Sequence, residues 1–334
     1  MEFAVPLPAD VIAVPAGHEY TGTTPDGSPG KQWISEYDMA GANALGEPHI
    51  IDGINTEGLT VGLFYFAHYV GYEEPQTYEN ALAPWEFTTW ILSTCATVQE
   101  VRESLDQVDV CAVSEADFGT IVGVADFIPP AHYLVMDAAG DCIVIEHIDG
   151  RPMVHDNPLG VITNDPAFDW HLTNLNNYVN LSPVNAEPFE MEGMTISPLG
   201  LGSGLLGIPG DFTPPSRFVQ AAFFSWATPA AHSAREAVLQ TFHLLNQFDI
   251  PLGASQRRGA DREGNPIFDT TLWSTVSDLS NRRYYFRTYS NSQIKMLDLN
   301  TVDFRGGQVL SYPMCQSAEE IADITTELDS GTDS

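Results

Sequence analysis

Two short segments place polar side chains where regular elements of the chain are expected to break. In Gly160–Trp170, a β-branched run at Val161–Thr163 is interrupted by Asn-Asp-Pro, which predicts a buried strand that ends at Asn164. In the second segment a Gly/Pro-rich turn is followed by Ser216, which predicts a helix capped by Ser216 with Arg217 at its first position. Both residue types donate hydrogen bonds, but each is common at such places, so alone they indicate little.

In their order along the chain and in their amino-acid sequences, the segments Gly160–Trp170 and Gly207–Phe218 resemble the choloylglycine hydrolase family. That family includes bile salt hydrolases and penicillin V acylases. The resemblance continues through Asp52–Leu59 and Thr173–Tyr178 and covers nearly the whole chain up to about Tyr312. That family belongs to the N-terminal nucleophile hydrolases. The resemblance therefore implies an αββα sandwich, in which two antiparallel sheets lie between helix layers, whereas the pattern of elements alone predicts only an α+β fold.

The resemblance also implies a linear amide C–N hydrolase that needs no cofactor. Relatives use an N-terminal cysteine, whose thiolate attacks the amide carbonyl while its own α-amine, titrating at about pH 8, acts as the general base. By position, Asn164 matches the oxyanion-hole asparagine, and Arg217 matches the arginine near the nucleophile. The alternatives are a turn-forming Asn164 before Asp-Pro, and an Arg217 that braces the acidic loop around Asp211.

The opening residues depart from the family pattern. Relatives run from the cysteine through a hairpin into Gly-Arg-Thr-Met-Glu-Phe, and the first three residues here match the second half of that motif. Glu2 would then be the acidic residue beside the nucleophile, with the cysteine upstream, so the chain as written is expected to be inactive by this mechanism. A start codon assigned too late is the favoured explanation. The alternative is a non-catalytic binder of acylated small molecules, or an assembly subunit, that has lost its nucleophile.

The expected substrate is a small-molecule amide with a hydrophobic acyl group, because Leu63–Phe66 and Leu205–Ile208 are apolar. Phe64, Tyr65 and Phe66 are the candidate substrate-binding residues. Tyr65 falls where penicillin V acylases have tyrosine and many bile salt hydrolases have asparagine, which favours the acylase side. Within so apolar a run, Tyr65 could equally be a core residue. Bile salts, penicillins and N-acyl homoserine lactones all remain open as substrates.

The charge balance is strongly acidic, with 45 Asp and Glu against 13 Lys and Arg and a formal net charge of −32. A hydrophobic fraction of 43% is too high for a disordered acidic chain. Electrostatic repulsion among so many negative side chains is tolerated best in concentrated salt. At 1 M salt the Debye length is about 3 Å, so most of this repulsion is screened. We therefore predict a halophilic protein, with an ordinary acidic mesophilic enzyme as the alternative. Nucleic acid is not an expected partner, since a basic footprint is absent.

Other chemistries are less well supported. The four cysteines, Cys95, Cys111, Cys142 and Cys315, are scattered like reduced core thiols. Four histidines, His132, His147, His155 and His171, are dispersed, and we expect surface or core positions for them; no metal site is expected. A GxGxxG match at Gly202–Gly207 has no preceding strand, and Ser203 and Ser216 lack a nucleophile-elbow context. With no leader and no long apolar run, we expect no membrane span and a cytoplasmic location.

We predict one domain over residues 1–316 and an acidic, frayed tail over 317–334. Predicted strands cover 3–15, 33–37, 49–54, 59–69, 132–136, 142–147, 153–155, 161–163, 268–276, 283–288 and 294–299. Predicted helices cover 83–92, 98–108, 217–226 and 230–248. The long irregular segment at 171–215 matches one that contributes to subunit assembly in the family, so the resemblance implies a homo-oligomer, a dimer or a tetramer.

Overall fold

The computed structural model describes residues 1–3, 7–44, 48–116, 119, 126–260 and 264–314. Its strands are β1 Glu2–Phe3, β2 Asp10–Val14, β3 Glu19–Thr21, β4 Gln32–Ile34, β5 Met39–Asn43, β6 Ile50–Asn55, β7 Thr60–Tyr65, β8 Ala81–Leu82, β9 Asp109–Val110, β10 Ala131–Met136, β11 Cys142–Ile148, β12 Arg151–Asp156, β13 Phe189–Met191, β14 Met194–Ile196, β15 Ser255–Ala260, β16 Pro266–Thr271, β17 Trp273–Asp278, β18 Arg283–Thr288, β19 Asn291–Asp298 and β20 Leu310–Pro313. Its α-helices are α1 Glu86–Thr94, α2 Val98–Ser104, α3 Phe168–Asn174, α4 Pro214–Ala227 and α5 Ala234–Leu245. The tail at 317–334 lies outside the described residues, so the predicted boundary at residue 316 stays a prediction.

One antiparallel sheet of eight strands, in the order β12-β11-β10-β7-β6-β5-β2-β20, forms the body of the protein. Both of its faces are covered, as β2 shows: Ile12 packs with the helices α1 and α2, whereas Val11 and Ala13 face the other way. Neighbouring residues of a strand point to opposite faces, so a sheet buried on both sides needs apolar residues in succession. This explains why the apolar runs in the sequence do not alternate with polar residues.

The second layer consists of two three-stranded sheets, β17-β18-β19 and β1-β16-β15. The predicted single strand at 268–276 is wrong, because the chain breaks at Leu272 between β16 and β17. The Leu272 N–H donates to the Met1 carbonyl at 2.8 Å, and the Leu272 carbonyl accepts from the Tyr289 N–H at 2.9 Å. One residue therefore hydrogen-bonds to a different neighbour on each side, which divides the predicted strand between two sheets.

The core between the layers contains Val11, Ala40 and Ala42 from the large sheet, packed against Trp273 and Phe286 of the second layer. On the outer side of the second layer, α5 covers the sheet through an apolar cluster that includes Val276. Helices thus lie outside both layers, which confirms the predicted α+β sandwich. Within the described part of the chain, no helix is both long and apolar enough to cross a membrane.

Strand β7 ends at the rim of the large sheet. The sequence predicts a strand over 59–69 buried on both faces, but β7 stops at Tyr65, and of its six residues only Val61 is fully buried. The Tyr65 side chain is 49% exposed. The prediction is wrong in length because the chain leaves the large sheet after Tyr65. It is wrong in burial because most side chains of β7 are partly exposed to solvent.

Close packing of β5 on β6 depends on a pair of glycines, Gly41 and Gly53, that lie directly opposite each other. A Cβ atom added to Gly41 would lie 2.2 Å from the Asp52 carbonyl oxygen and 2.5 Å from the Gly53 Cα. These are backbone atoms, which cannot move aside as a flexible side chain can. The two strands therefore need glycine at this position.

We predict that Gly41→Ala lowers the free energy of unfolding by about 1–3 kcal/mol, the usual cost of overpacking a well-packed core. Gly306→Ala is the matched control, since an added Cβ there meets no atom within 4 Å. Denaturant titration of both variants measures the effect. Equal stability of the two variants would contradict the close-packing argument.

Candidate active site

Asn164 lies in a turn that is held by side chains. The predicted strand at Val161–Thr163 is wrong, because these residues pair with no strand that the structure describes. Asn157 takes over part of the pairing, with its Nδ2 donating to the Val161 carbonyl at 3.0 Å. The Thr163 hydroxyl donates to the Pro214 carbonyl at 3.1 Å, which ties the turn to the first residue of α4. The β-branched residues 161–163 therefore form part of the turn and not a strand of a sheet.

Helix α4 carries Arg217 and begins earlier than predicted. Thr213 occupies the N-cap position and Pro214 follows, so the prediction that Ser216 caps the helix is wrong. Proline suits the first turn because its missing N–H has no helical partner there. Asp211 accepts from the hydroxyls of Thr213 and Ser216, at 2.5 and 2.8 Å, and these hydrogen bonds lower the pKa of Asp211. Arg217 therefore lies within the first turn of α4, near its N-terminus.

Arg217 and Asn164, 53 residues apart in the chain, are joined directly. The Arg217 Nη2 donates to the Asn164 Oδ1 at 2.6 Å, and the Arg217 Nε donates to the Phe212 carbonyl at 3.0 Å. The Asn164 Nδ2 donates to the Tyr65 carbonyl at 2.8 Å. Because a carboxamide nitrogen carries two N–H groups, the second can donate to an oxyanion. The guanidinium bond to Oδ1 specifies which end of the carboxamide is the donor end.

The three candidate substrate-binding residues at the end of β7 occupy different environments. Tyr65 is half exposed, so its core alternative is wrong; partial burial raises the pKa of its hydroxyl, and Arg257 and Asp165 are the charges that act on it. Phe64 is partly buried. The Phe66 side chain is completely buried and stacks on His132 at 4.5 Å between ring centroids. Phe66 cannot contact substrate in this structure, which corrects its predicted role.

Glu2 lies in β1, opposite Thr271 of β16. The Met1 α-amine donates to the Trp273 carbonyl at 2.9 Å, so β1 lies beside the break between β16 and β17. The predicted place of Glu2 beside a nucleophile stays a prediction.

Several residues near Asn164 were not predicted as site residues. His68 Nδ1 is hydrogen-bonded to the carboxyl group of Asp165, the residue after Asn164, and the His68 side chain is largely exposed. His132 and His171 reach the backbone of the turn, and Glu146 contacts His132. One sequence signal could have found Glu146, because a short connection between the predicted strands 132–136 and 142–147 places His132 and Glu146 opposite each other.

The described cysteines do not have the properties of a nucleophile. Burial raises the pKa of the Cys95 thiol, and it raises the pKa of Cys111 and Cys142 to about 12. Their thiolates are therefore scarce at neutral pH, and none is paired in a disulfide. Cys315 lies outside the described residues. Among the residues that the structure describes, no three His, Cys, Asp or Glu side chains converge to hold a metal ion.

Comparisons with known proteins agree with this fold. The structure is similar to the crystal structure of a variant of conjugated bile acid hydrolase from Clostridium perfringens, with a TM-score of 0.80, 27% identity, and 96% of this chain and 94% of that chain covered. This likeness places the protein in the class of N-terminal nucleophile hydrolases. The model of the family of linear amide C–N hydrolases, choloylglycine hydrolase family, matches residues 5–317. The chain belongs to that family.

Two curated relatives show the range of activities in the family. The chain is 31% identical over 287 residues to a bile salt hydrolase/transferase of Clostridium perfringens, covering 84% of this chain and 83% of that protein. It is 27% identical over 293 residues to the penicillin V acylase of Pectobacterium atrosepticum, covering 83% of this chain and 70% of that protein.

We predict that Arg217→Lys in the native protein lowers amide turnover about tenfold or more, because misplacing a group by about 1 Å can cost a factor of about 100. A lysine ammonium cannot bridge the Asn164 side chain and the Phe212 carbonyl as the planar guanidinium does. Arg305→Lys is the matched control, because that arginine is 90% exposed and contacts Asp303. Steady-state kinetics of the two variants measures the effect. Equal turnover numbers would contradict a role for the two hydrogen bonds that the Arg217 guanidinium donates.

Proposed function

We propose that the protein hydrolyses a linear amide that carries a hydrophobic acyl group, with Asn164 as oxyanion donor and Arg217 as the residue that orients it. The observation that carries the proposal is the hydrogen-bonded chain from Arg217 through the Asn164 carboxamide to the Tyr65 carbonyl. Oxyanion donors work because they are already aimed at the place where negative charge develops. A carboxamide held at both ends meets that requirement, and membership of the amide hydrolase family supplies the reaction type.

In the proposed reaction, a cysteine thiolate attacks the amide carbonyl carbon, and its electron pair forms the new C–S bond. The carbonyl π electrons move to oxygen, where Asn164 Nδ2 donates a hydrogen bond. When the intermediate collapses, the C–N bond breaks and the amine leaves with the proton that the base had taken from the thiol. Water then attacks the thioester, which releases the acid and restores the thiol.

This mechanism needs a cysteine that has a free α-amino group. Cys95, Cys111 and Cys142 are internal residues with raised thiol pKa values, so we propose an N-terminal cysteine upstream of Glu2, in a segment that leads into β1. Glu2 would then lie beside the nucleophile. Mass spectrometry of the native N-terminus tests this proposal directly.

The substrate class rests on the end of β7. Tyr65 is half exposed and its carbonyl accepts from Asn164, so its ring offers an aromatic surface next to the Asn164 turn, whereas Phe64 is partly buried on the opposite face of β7. Such a surface suits a hydrophobic acyl group. The relatives' names include both bile salt and penicillin V, so we propose glycine-conjugated cholate and phenoxymethylpenicillin as the first probes.

We also propose that the protein works in the cytoplasm of a cell that contains concentrated salt. The support is the net charge of −32 together with a hydrophobic fraction of 43%, which allows a folded core despite strong repulsion. The scattered thiols, unpaired where the structure describes them, agree with a reducing compartment.

We predict that Asn164→Ala lowers the turnover number of the native protein about 100- to 1,000-fold on either probe, the cost of losing one oxyanion donor. Asn176→Ala is the matched control, because the Asn176 carboxamide is exposed and, within the described part of the chain, donates to the nearby Thr173 carbonyl and not to the Asn164 turn. Steady-state kinetics in concentrated salt measures both variants.

Near-normal turnover by Asn164→Ala would remove Asn164 from the mechanism. A native protein that binds the two probes but hydrolyses neither would instead support the alternative function, a non-catalytic binder of acylated small molecules. Isothermal titration calorimetry on the same samples distinguishes binding from hydrolysis.

We further propose that the segment 171–215 joins copies of this chain into a homo-oligomer. The segment is an ordered arm: Ser182 N–H donates to the Gly204 carbonyl at 2.9 Å, and Asn185 Oδ1 accepts from Gly202 N–H at 2.7 Å. It exposes a series of apolar side chains, namely Val179, Val184, Phe189, Met191, Met194, Leu199, Leu201 and Leu206. An apolar surface of this kind is typical of an interface between subunits.

We predict that the double variant Leu199→Asp, Leu201→Asp dissociates the oligomer, because both side chains are more than 90% exposed and would be buried by a neighbouring copy. Leu252→Asp is the matched control, since Leu252 is also exposed but lies outside the arm. Sedimentation velocity in concentrated salt measures the mass of each species. A monomeric unaltered protein, or an oligomer that the double variant leaves intact, would contradict the proposal.

A further inference from the structure

Two buried histidines hydrogen-bond to consecutive carbonyls of the Asn164 turn. His132 Nε2 lies 3.2 Å from the Thr163 carbonyl oxygen, and His171 Nε2 lies 2.9 Å from the Asn164 carbonyl oxygen. Each histidine is only 1% exposed. A carbonyl oxygen can only accept, so Nε2 carries the proton in both rings. The main chain on both sides of the Asn164 Cα is therefore held from the interior.

Glu146 connects one of these histidines to the helix that carries the other. Its Oε1 lies 3.1 Å from His132 Nδ1 and accepts from the Phe168 N–H at 3.0 Å, where α3 begins. Glu146 is completely buried. A buried carboxyl group is tolerated only when it is hydrogen-bonded, so breaking these contacts carries a large cost. Glu146 thus fixes the orientation of the His132 ring and the start of α3 together.

His171 also contacts the helix that carries Arg217. Its ring stacks on Phe218 with centroids 4.6 Å apart and an angle of 14° between the planes. Burial lowers the pKa of His171, so near neutral pH the ring is an uncharged donor. His171, which hydrogen-bonds to the Asn164 carbonyl, therefore packs against Phe218. The residue before Phe218 is Arg217, which hydrogen-bonds to the Asn164 carboxamide.

We infer that His132 and His171, with Glu146 behind His132, are positioning residues that orient the Asn164 carboxamide for the hydrolysis proposed above. The inference rests on that proposed function for its catalytic consequence. Arg217 and the Tyr65 carbonyl can hold the side chain in place only if the main chain at Asn164 is itself stationary. A hydrogen-bond donor in an active site must be held within roughly 0.5 Å and 10–20° of its productive geometry. Buried supporting residues provide restraint of that order.

The test is His171→Phe in the native protein, a change that keeps the ring stack on Phe218 and removes the donor to Asn164. We expect kcat and kcat/KM to fall equally, by about 10- to 100-fold, as for an interaction needed only in the transition state. His171→Gln is the conservative variant, and its amide N–H should restore most of the turnover. The inference would be overturned if the turnover number fell as much in His171→Gln as in His171→Phe. It would also be overturned if the turnover number fell in neither variant.

His155→Gln is the matched control. His155 Nε2 lies 3.6 Å from Glu146 Oε2, and the His155 ring packs on Phe168, but the side chain is partly exposed and among the described residues no hydrogen bond joins it to the Thr163 or Asn164 carbonyl. We expect its turnover to equal that of the unaltered protein. A fall as large as in His171→Phe would show that general packing of the cluster matters and would overturn the inference.

Hydrogen–deuterium exchange makes the test independent of catalysis. In His171→Phe, the backbone amides of residues 161–165, 167 and 168 should exchange about tenfold faster than in the unaltered protein or in His155→Gln, because the turn has lost one of its two contacts with buried histidines. Unchanged exchange would overturn the inference. If the unaltered native protein hydrolyses neither amide probe, the proposed function fails, and the exchange result alone decides whether the two histidines hold the turn.

Discussion

The register of β10 between its two neighbours is the constraint on which the rest of the site depends. Ala131 lies opposite Tyr65 of β7, which is the residue whose carbonyl accepts from Asn164, and His132 lies opposite Glu146 of β11. A slip of one residue would move every side chain of β10 to the other face of the sheet. His132 would then leave the Asn164 turn, and Glu146 would be buried without its partner. The tight turn between β10 and β11 fixes the register of that pair, with Asp137 Oδ1 accepting from the Ala139 and Asp141 N–H groups.

The turn itself is built from polar contacts because it lies where the sheets end. Among the described residues no strand pairs with 161–163, so its main-chain groups must be satisfied by side chains. Asn157 and His132 bind the Val161 and Thr163 carbonyls, and His171 binds that of Asn164. The Thr163 hydroxyl separately ties the turn to the start of α4. This arrangement has a functional consequence: the residues that complete the backbone pairing also determine where the Asn164 carboxamide points.

The sequence predicted the architecture and gave Asn164 and Arg217 as two separate candidates, but neither the hydrogen bond that joins them nor the contacts that support them. Both residues were candidates because they lie in segments that resemble the family; that they meet is a finding of the structure. The strand at 161–163 was mispredicted because a β-branched run gives the same pattern whether its partner is a strand or a set of side chains. Phe66 was misplaced because three consecutive aromatic residues do not show where a strand leaves the sheet. The role of His171 could not be read at all, since it depends on how α3 packs on Phe218.

The extreme charge of this chain makes buried, short-range contacts the suitable way to organise its site. In concentrated salt, exposed ion pairs more than a few ångströms apart are screened, at a Debye length of about 3 Å at 1 M. The contacts around Asn164 are hydrogen bonds between adjacent groups, and His132, His171 and Glu146 are almost completely buried. Screening therefore acts mainly on the acidic surface, where it reduces repulsion, and hardly on the geometry of the turn. In the concentrated salt that we propose for this protein, a site of this kind would keep its form while the acidic surface is screened.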